Sequence, residues 1–250
     1  MADDALAQIL RQVDAAKAEL NAYEPAGIRW YARAVAAVNT LVPWLVKEAP
    51  GLRQHVEDVL NSHGLLRDAW AALRPQIDVP AEVARIDELL EYESVLLRDV
   101  TSDTVSSVVT GHLLTHYPDG GLAGNSKSDY PDLFLKANDY SSLPVRSRRD
   151  SHKEIGAAVR GTQRKPVRVP DGLEVKTSRN GANIDCHYPH VGLHLMLSFV
   201  TTGERVLVDD VLAAFLRADN YRISSRRTEA TTVKASFSRA PFVSLLEKGP

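Results

Sequence analysis

The run Gly172-Leu173-Glu174-Val175-Lys176-Thr177-Ser178 decides how the rest of the chain is read. It opens at the turn-forming triplet Pro170-Asp171-Gly172 and closes at Asn180-Gly181, with apolar and β-branched residues between, so it predicts a strand. Side chains alternate faces along a strand. Glu174, Lys176 and Ser178 therefore share one face, and Leu173, Val175 and Thr177 share the other. A carboxylate and an ammonium then point the same way, two residues apart. If the apolar face is core, the polar one is an edge or the floor of a cleft.

Working outward, Gly192 to Val200 repeats the alternation, with Leu193, Leu195, Leu197 and Phe199 set against His194, Met196 and Ser198. A helix is expected over Val206 to Arg217, capped by Asp209 or Asp210, and a last strand over Thr231 to Ser238. On the upstream side, Tyr130 to Lys136 predicts a strand containing Asp132-Leu133-Phe134-Leu135. Before it, Asp103 to His116 has helical spacing and is stopped by Pro118-Asp119-Gly120-Gly121. Lys153 to Arg160 reads as a short helix. Residues 101–250 thus form a mixed α/β domain.

Residues 1–100 differ in character. Apolar stripes predict helices over residues 3–23, Ile28 to Lys47 (kinked or divided at Pro43), Leu52 to Ser62, Leu65 to Leu73, and Ala81 to Arg98. Pro50-Gly51 and His63-Gly64 are read as the interruptions. The expected fold class is α+β: a helical bundle or arm for dimerisation or target recognition, then a core with a central mixed β-sheet flanked by helices.

Composition narrows the function. The 250 residues carry a net charge of -2, but residues 1–100 hold 10 Lys and Arg against 16 Asp and Glu, whereas residues 126–170 hold 10 against 5. Phosphate binding needs Lys and Arg, so the basic middle rather than the helical region is the expected grip on a polyanion. The single cysteine, Cys186, excludes an internal disulfide and fits a reducing cytoplasm. Neither an apolar run of membrane-spanning length nor a secretory signal is expected.

Pro131-Asp132 and Glu174-Val175-Lys176, in that order on two strands after a helix, resemble the active site of the PD-(D/E)xK nuclease superfamily, which includes most Type II restriction endonucleases. The resemblance covers residues from about 102 to 240 and leaves the helical N-terminus outside. It implies a restriction-endonuclease-like core and a Mg²⁺-dependent, sequence-specific double-stranded DNA endonuclease, with Mn²⁺ as a substitute cation. Asp132, Glu174 and the Val175 carbonyl would supply hard oxygen ligands, and Lys176 would orient the attacking water and offset developing charge. Between Asp132 and Glu174 stand 41 residues, which requires an inserted segment between the two strands. Asp129 and Asp139 are the alternatives for the first ligand. The resemblance further implies a homodimer that cuts both strands, and a cognate DNA methyltransferase in the same system without direct contact.

Around this constellation, Arg146, Arg148, Arg149, Lys153, Arg160, Arg164 and Lys165 are expected to contact DNA, as are Arg179, Asn180 and Asn183 just past the lysine strand. Cys186, His187, His190 and His194 invite a zinc reading, but their spacing matches no common structural zinc pattern. Two other functions compete: a structure-specific repair or recombination nuclease of the junction-resolvase type, and a nuclease fold kept as a DNA-binding module without catalysis.

Overall fold

The computed structural model describes residues 2–22, 28–98, 102–125, 130–138, 169–179, 184–186, 190–202, 205–223 and 235–247. The helices are α1 (Ala2–Ala15), α2 (Lys17–Ala22), α3 (Trp30–Leu73), α4 (Pro80–Arg98) and α5 (Ser102–His116). Among the described residues nine strands follow: β1 (Leu122–Gly124), β2 (Leu133–Leu135), β3 (Leu173–Arg179), β4 (Ile184–Cys186), β5 (Gly192–Thr202), β6 (Arg205–Leu216), β7 (Tyr221–Ile223), β8 (Ala235–Phe237) and β9 (Val243–Ser244). The fold is α+β, as expected.

Six strands form a mixed sheet in the order β1-β2-β3-β5-β6-β9, and β4-β8-β7 form a second, smaller sheet. At the centre β3 and β5 run parallel, placing Glu174 beside His194 and Lys176 beside Met196. On the outer side of β3, β2 runs antiparallel with Leu133 opposite Leu173, which brings the residue before it, Asp132, level with Glu174. One face of the large sheet carries Leu173, Val175, Leu193, Leu195, Leu197, Phe199 and Phe215, all buried in one core with Ile9 and Val13 of α1, Leu41, Leu45 and Leu52 of α3, and Val109 and Leu113 of α5. This single core joins the N-terminal helices to the sheet. Met196, Leu212, Ala214 and Leu216 look the other way and pack with Tyr221, Phe237 and Ile184 of the small sheet.

Two expectations are corrected. Residues 205–216 are strand β6, not a helix. Val206 and Val208 are buried while Leu207 and Asp209 are exposed, a period of two, and the continuously buried run from Val211 to Leu216 then pairs with Gly192 to Leu197 of β5. The apolar Val-Leu-Ala-Ala-Phe-Leu run resembles a buried helix in sequence, and only the partner strand distinguishes the two. The second correction is that α3 is one helix of 44 residues, running through Pro43, Pro50 and His63-Gly64. Each proline removes a backbone hydrogen bond and disfavours helix. Leu41, Val42, Leu45, Ala49 and Leu52 surround both prolines and are all buried, and that packing outweighs the local preference.

α3 also protects the sheet. Beyond its short pairing with β9, the outer edge of β6 would expose backbone groups. Asn61 accepts from the Val206 N–H at 2.7 Å and donates to the Val206 carbonyl at 2.8 Å, and Glu57 accepts from the Val208 N–H at 2.8 Å. From α1, Gln12 accepts from the Phe215 N–H at 2.8 Å. The helix over Lys153 to Arg160 and the first part of the strand over Thr231 to Ser238 lie outside the described residues; Ala235–Phe237 is strand. Among the described residues no helix is long and apolar enough to cross a membrane.

Candidate metal and nucleic-acid site

The polar face of β3 meets the start of β2. The approach is made by Pro131 and Leu133 crossing directly over Gly172, where an added Cβ would stand 2.1 Å from Pro131 Cγ and 2.5 Å from the Leu133 carbonyl oxygen. Only glycine leaves room for it. Asp132 and Glu174 are then cross-linked through the backbone. The Asp132 N–H donates to Glu174 Oε2 at 3.1 Å, and the Val175 N–H donates to Asp132 Oδ2 at 2.8 Å. The N–H and C=O of one strand residue point to the same side, so the Val175 carbonyl also faces the β2 edge. Lys176 Nζ donates to Glu174 Oε1 at 2.5 Å.

Burial gives this group its electrostatics. Desolvation pushes the Glu174 carboxyl up to about 7, opposed by the Lys176 ammonium and reinforced by Asp132. Asp132 is also raised, again chiefly by burial, against the pull of Lys176 and the Val175 N–H. Among the described residues, two carboxylates thus share one ammonium in a poorly solvated patch, a shortage of positive charge. Lys176 is about a quarter exposed, with its side chain at 23 % of full accessibility, so the patch opens to solvent at the lysine. A divalent cation fits the donor set. The two carboxylates and the Val175 carbonyl are hard oxygen ligands, and a cation would relieve the charge shortage that burial creates.

Arg179, at the exposed end of β3, donates to Thr201 Oγ1 from Nε at 3.1 Å and from its terminal nitrogen. The other residues expected to bind DNA (Arg146, Arg148, Arg149, Lys153, Arg160, Arg164, Lys165, Asn180 and Asn183) lie outside the described residues, as do Asp129 and Asp139.

The histidines sort differently from the zinc reading. His194 is fully buried: its Nδ1 donates to the Gly192 carbonyl at 2.8 Å, and Nε2 lies 3.0 Å from the Tyr221 hydroxyl. Burial, helped by the nearby Lys176 charge, pushes it down to about 3, so it is a neutral core histidine. His190 stacks on Tyr130 with ring centroids 4.0 Å apart, and His187 lies outside the described residues. Among the described residues, the His and carboxylate side chains that converge at metal-ligand distance are instead Glu48, His112 and His116. The signal for them was present in the sequence as His-x-x-x-His at the end of the helix expected over Asp103 to His116, a spacing that puts both rings on one helix face.

Asp171 stands in the turn that Pro170-Asp171-Gly172 predicts. It has a further role that no local pattern announces: wholly buried, it accepts from Arg33 Nε of α3 at 2.7 Å and from Asn138 Nδ2 at 2.9 Å. This ion pair ties α3 to the turn that launches β3. Compared with known proteins, the chain matches no family model, no curated protein and no solved structure.

Proposed function

We propose that this protein is a Mg²⁺-dependent endonuclease acting on double-stranded DNA, of the sequence-specific restriction type, and that it works as a homodimer. The observation that carries the reading is the convergence of Asp132, Glu174, the Val175 peptide and Lys176 at the β2–β3 edge, from positions 42 residues apart in the chain. Carboxylates that are buried, short of positive charge and open to solvent on the side of a lysine suit the hydrolysis of a phosphodiester.

In this reading Asp132, Glu174 and the Val175 carbonyl would hold Mg²⁺. The cation, when bound, supplies Lewis-acid activation of water and neutralises charge on the phosphate. The chain's own residues do the rest. Lys176 sits at the solvent-facing side of Glu174, where its ammonium orients the nucleophile and stabilises the charge that builds on the phosphate oxygens. The Asp132–Val175 and Asp132–Glu174 hydrogen bonds fix both carboxylates before substrate arrives, so little reorganisation is left for the reaction. Arg179, further along β3, falls on the opposite strand face from Lys176. Two copies are required because one such centre cuts one strand.

Unmethylated plasmid and phage DNA incubated with the protein in Mg²⁺ should give discrete fragments. EDTA or Lys176→Ala should abolish them, with loss of at least about a thousandfold in rate. Cleavage confined to branched junctions would move the assignment to a structure-specific nuclease. A folded protein that binds DNA and cuts none of these substrates would leave only a binding module.

A further inference from the structure

Away from the β2–β3 edge, between α3 and α5, lies a group of metal-ligating side chains that does not depend on the nuclease reading. On α5, His112 and His116 are one helical turn apart and their rings stack, with centroids 4.0 Å apart. Glu48 reaches them from α3, its Oε1 2.7 Å from His112 Nε2. One ligand atom from each of the three lies within 4.8 Å of the other two. His55, two turns along α3 from Glu48, adds a third ring, its centroid 4.7 Å from that of His112.

A helix–helix contact alone explains this group poorly. Stacked imidazoles gain little from one another when neutral and repel when charged. The His112 side chain is 4 % exposed, and among the described residues its Nδ1 is buried without a hydrogen-bond partner. His116 is arranged the other way: Nδ1 meets the His112 carbonyl at 2.9 Å, the outer contact that fixes a ligating imidazole and leaves Nε2 with its lone pair outward.

We propose that Glu48, His112 and His116 form a Zn²⁺-class site that clips α3 to α5, with His55 or water completing the coordination. Two imidazoles and one carboxylate are a set for a borderline-soft ion with tetrahedral preference, not for Mg²⁺, which takes oxygen. The two centres of the molecule therefore select different metals by ligand chemistry. An ion at His112 Nε2 would take the place of the Nε2–Glu48 hydrogen bond and leave the neutral ring's proton on Nδ1. Because α5 packs on β3 as well as on α3, the clip braces the strand that carries Glu174 from behind.

The test strips the full chain with chelator and titrates Zn²⁺ against a chromophoric competitor, using an Asp132→Asn background so that the oxygen site does not contribute. One Zn²⁺ per chain is expected, with binding weakened at least about tenfold by His116→Ala and by Glu48→Gln. His116 is exposed, so its removal leaves the core intact. Zn²⁺ should raise the melting temperature of the unsubstituted chain and not that of His116→Ala. Absence of stoichiometric uptake, or equal affinity in both variants and the unsubstituted chain, overturns the site.

Discussion

The two faces of the β3–β5 pair share one backbone ladder and are both removed from water, yet they do opposite things. Toward the helices, Leu173, Val175, Leu193, Leu195 and Leu197 are buried among aliphatic neighbours, and their burial stabilises the fold by roughly 2 kcal/mol each. On the far face Glu174, Ser178, His194 and Ser198 are equally buried and polar. His194 shows how such a group is made harmless: both ring nitrogens have partners and the ring stays neutral. Glu174 is treated otherwise, held against Asp132 with one lysine between two acids. A well-packed apolar residue there would serve stability as well or better. Burial by itself therefore does not distinguish structure from chemistry in this sheet; the distinction lies in whether the buried charge is matched.

The comparison predicts that the two faces separate under substitution. Glu174→Gln should cost at least about a thousandfold in DNA cleavage, about 4 kcal/mol in the barrier. In metal-free protein at pH 8 it should leave thermal stability unchanged or raise it, because a desolvated charge is removed. A large drop in melting temperature would instead make Glu174 a structural partner of Lys176. Leu195→Ala should behave in reverse, losing about 2–5 kcal/mol of unfolding free energy by denaturant titration while the folded fraction keeps its cleavage rate. If activity per folded molecule falls with it, the faces are coupled and the comparison fails.

How much of this was legible depended on where the deciding contact lay. β3 and β5 were readable because each carries its own alternation and is bounded by Pro, Gly and Asn turns, so local pattern and tertiary role agree. The pairing of Asp132 with Glu174 is what the resemblance of Pro131-Asp132 and Glu174-Val175-Lys176 to a nuclease motif implies, and the geometry supplies what spacing lacks: the crossing of Pro131 over Gly172 and the two backbone hydrogen bonds. β6 looks like a helix in sequence because its inner half is buried on both faces, and an apolar run with two alanines has no period to betray its partner. α3 was cut at its prolines because their cost is local, whereas the packing that overrides it comes from the sheet. Glu48 was invisible for a simpler reason: it stands 64 residues before His112, and nothing in either neighbourhood announces the other.

The smallest effect is also the most direct probe of the unmatched charge. Glu174 has its carboxyl raised from 4.5 to about 7 in the metal-free fold. Between those values the folded state holds a proton that the unfolded state has released. The stabilisation linked to that proton is fully present below about pH 4.5 and lost as pH rises through about 7. Mg²⁺ competes for the same oxygens. At pH 6 about one-tenth of the molecules have Glu174 ionised and at pH 8 about nine-tenths, so affinity should rise about tenfold across that interval and then level off. Calorimetric titration in buffers of different ionisation enthalpy should count about 0.9 proton released per Mg²⁺ at pH 6 and about 0.1 at pH 8. Glu174→Gln, though it binds more weakly, should release none in either. Proton release that is the same at both pH values would mean the carboxylate is already matched in the free protein, and the contrast between the two faces would then rest on shape alone.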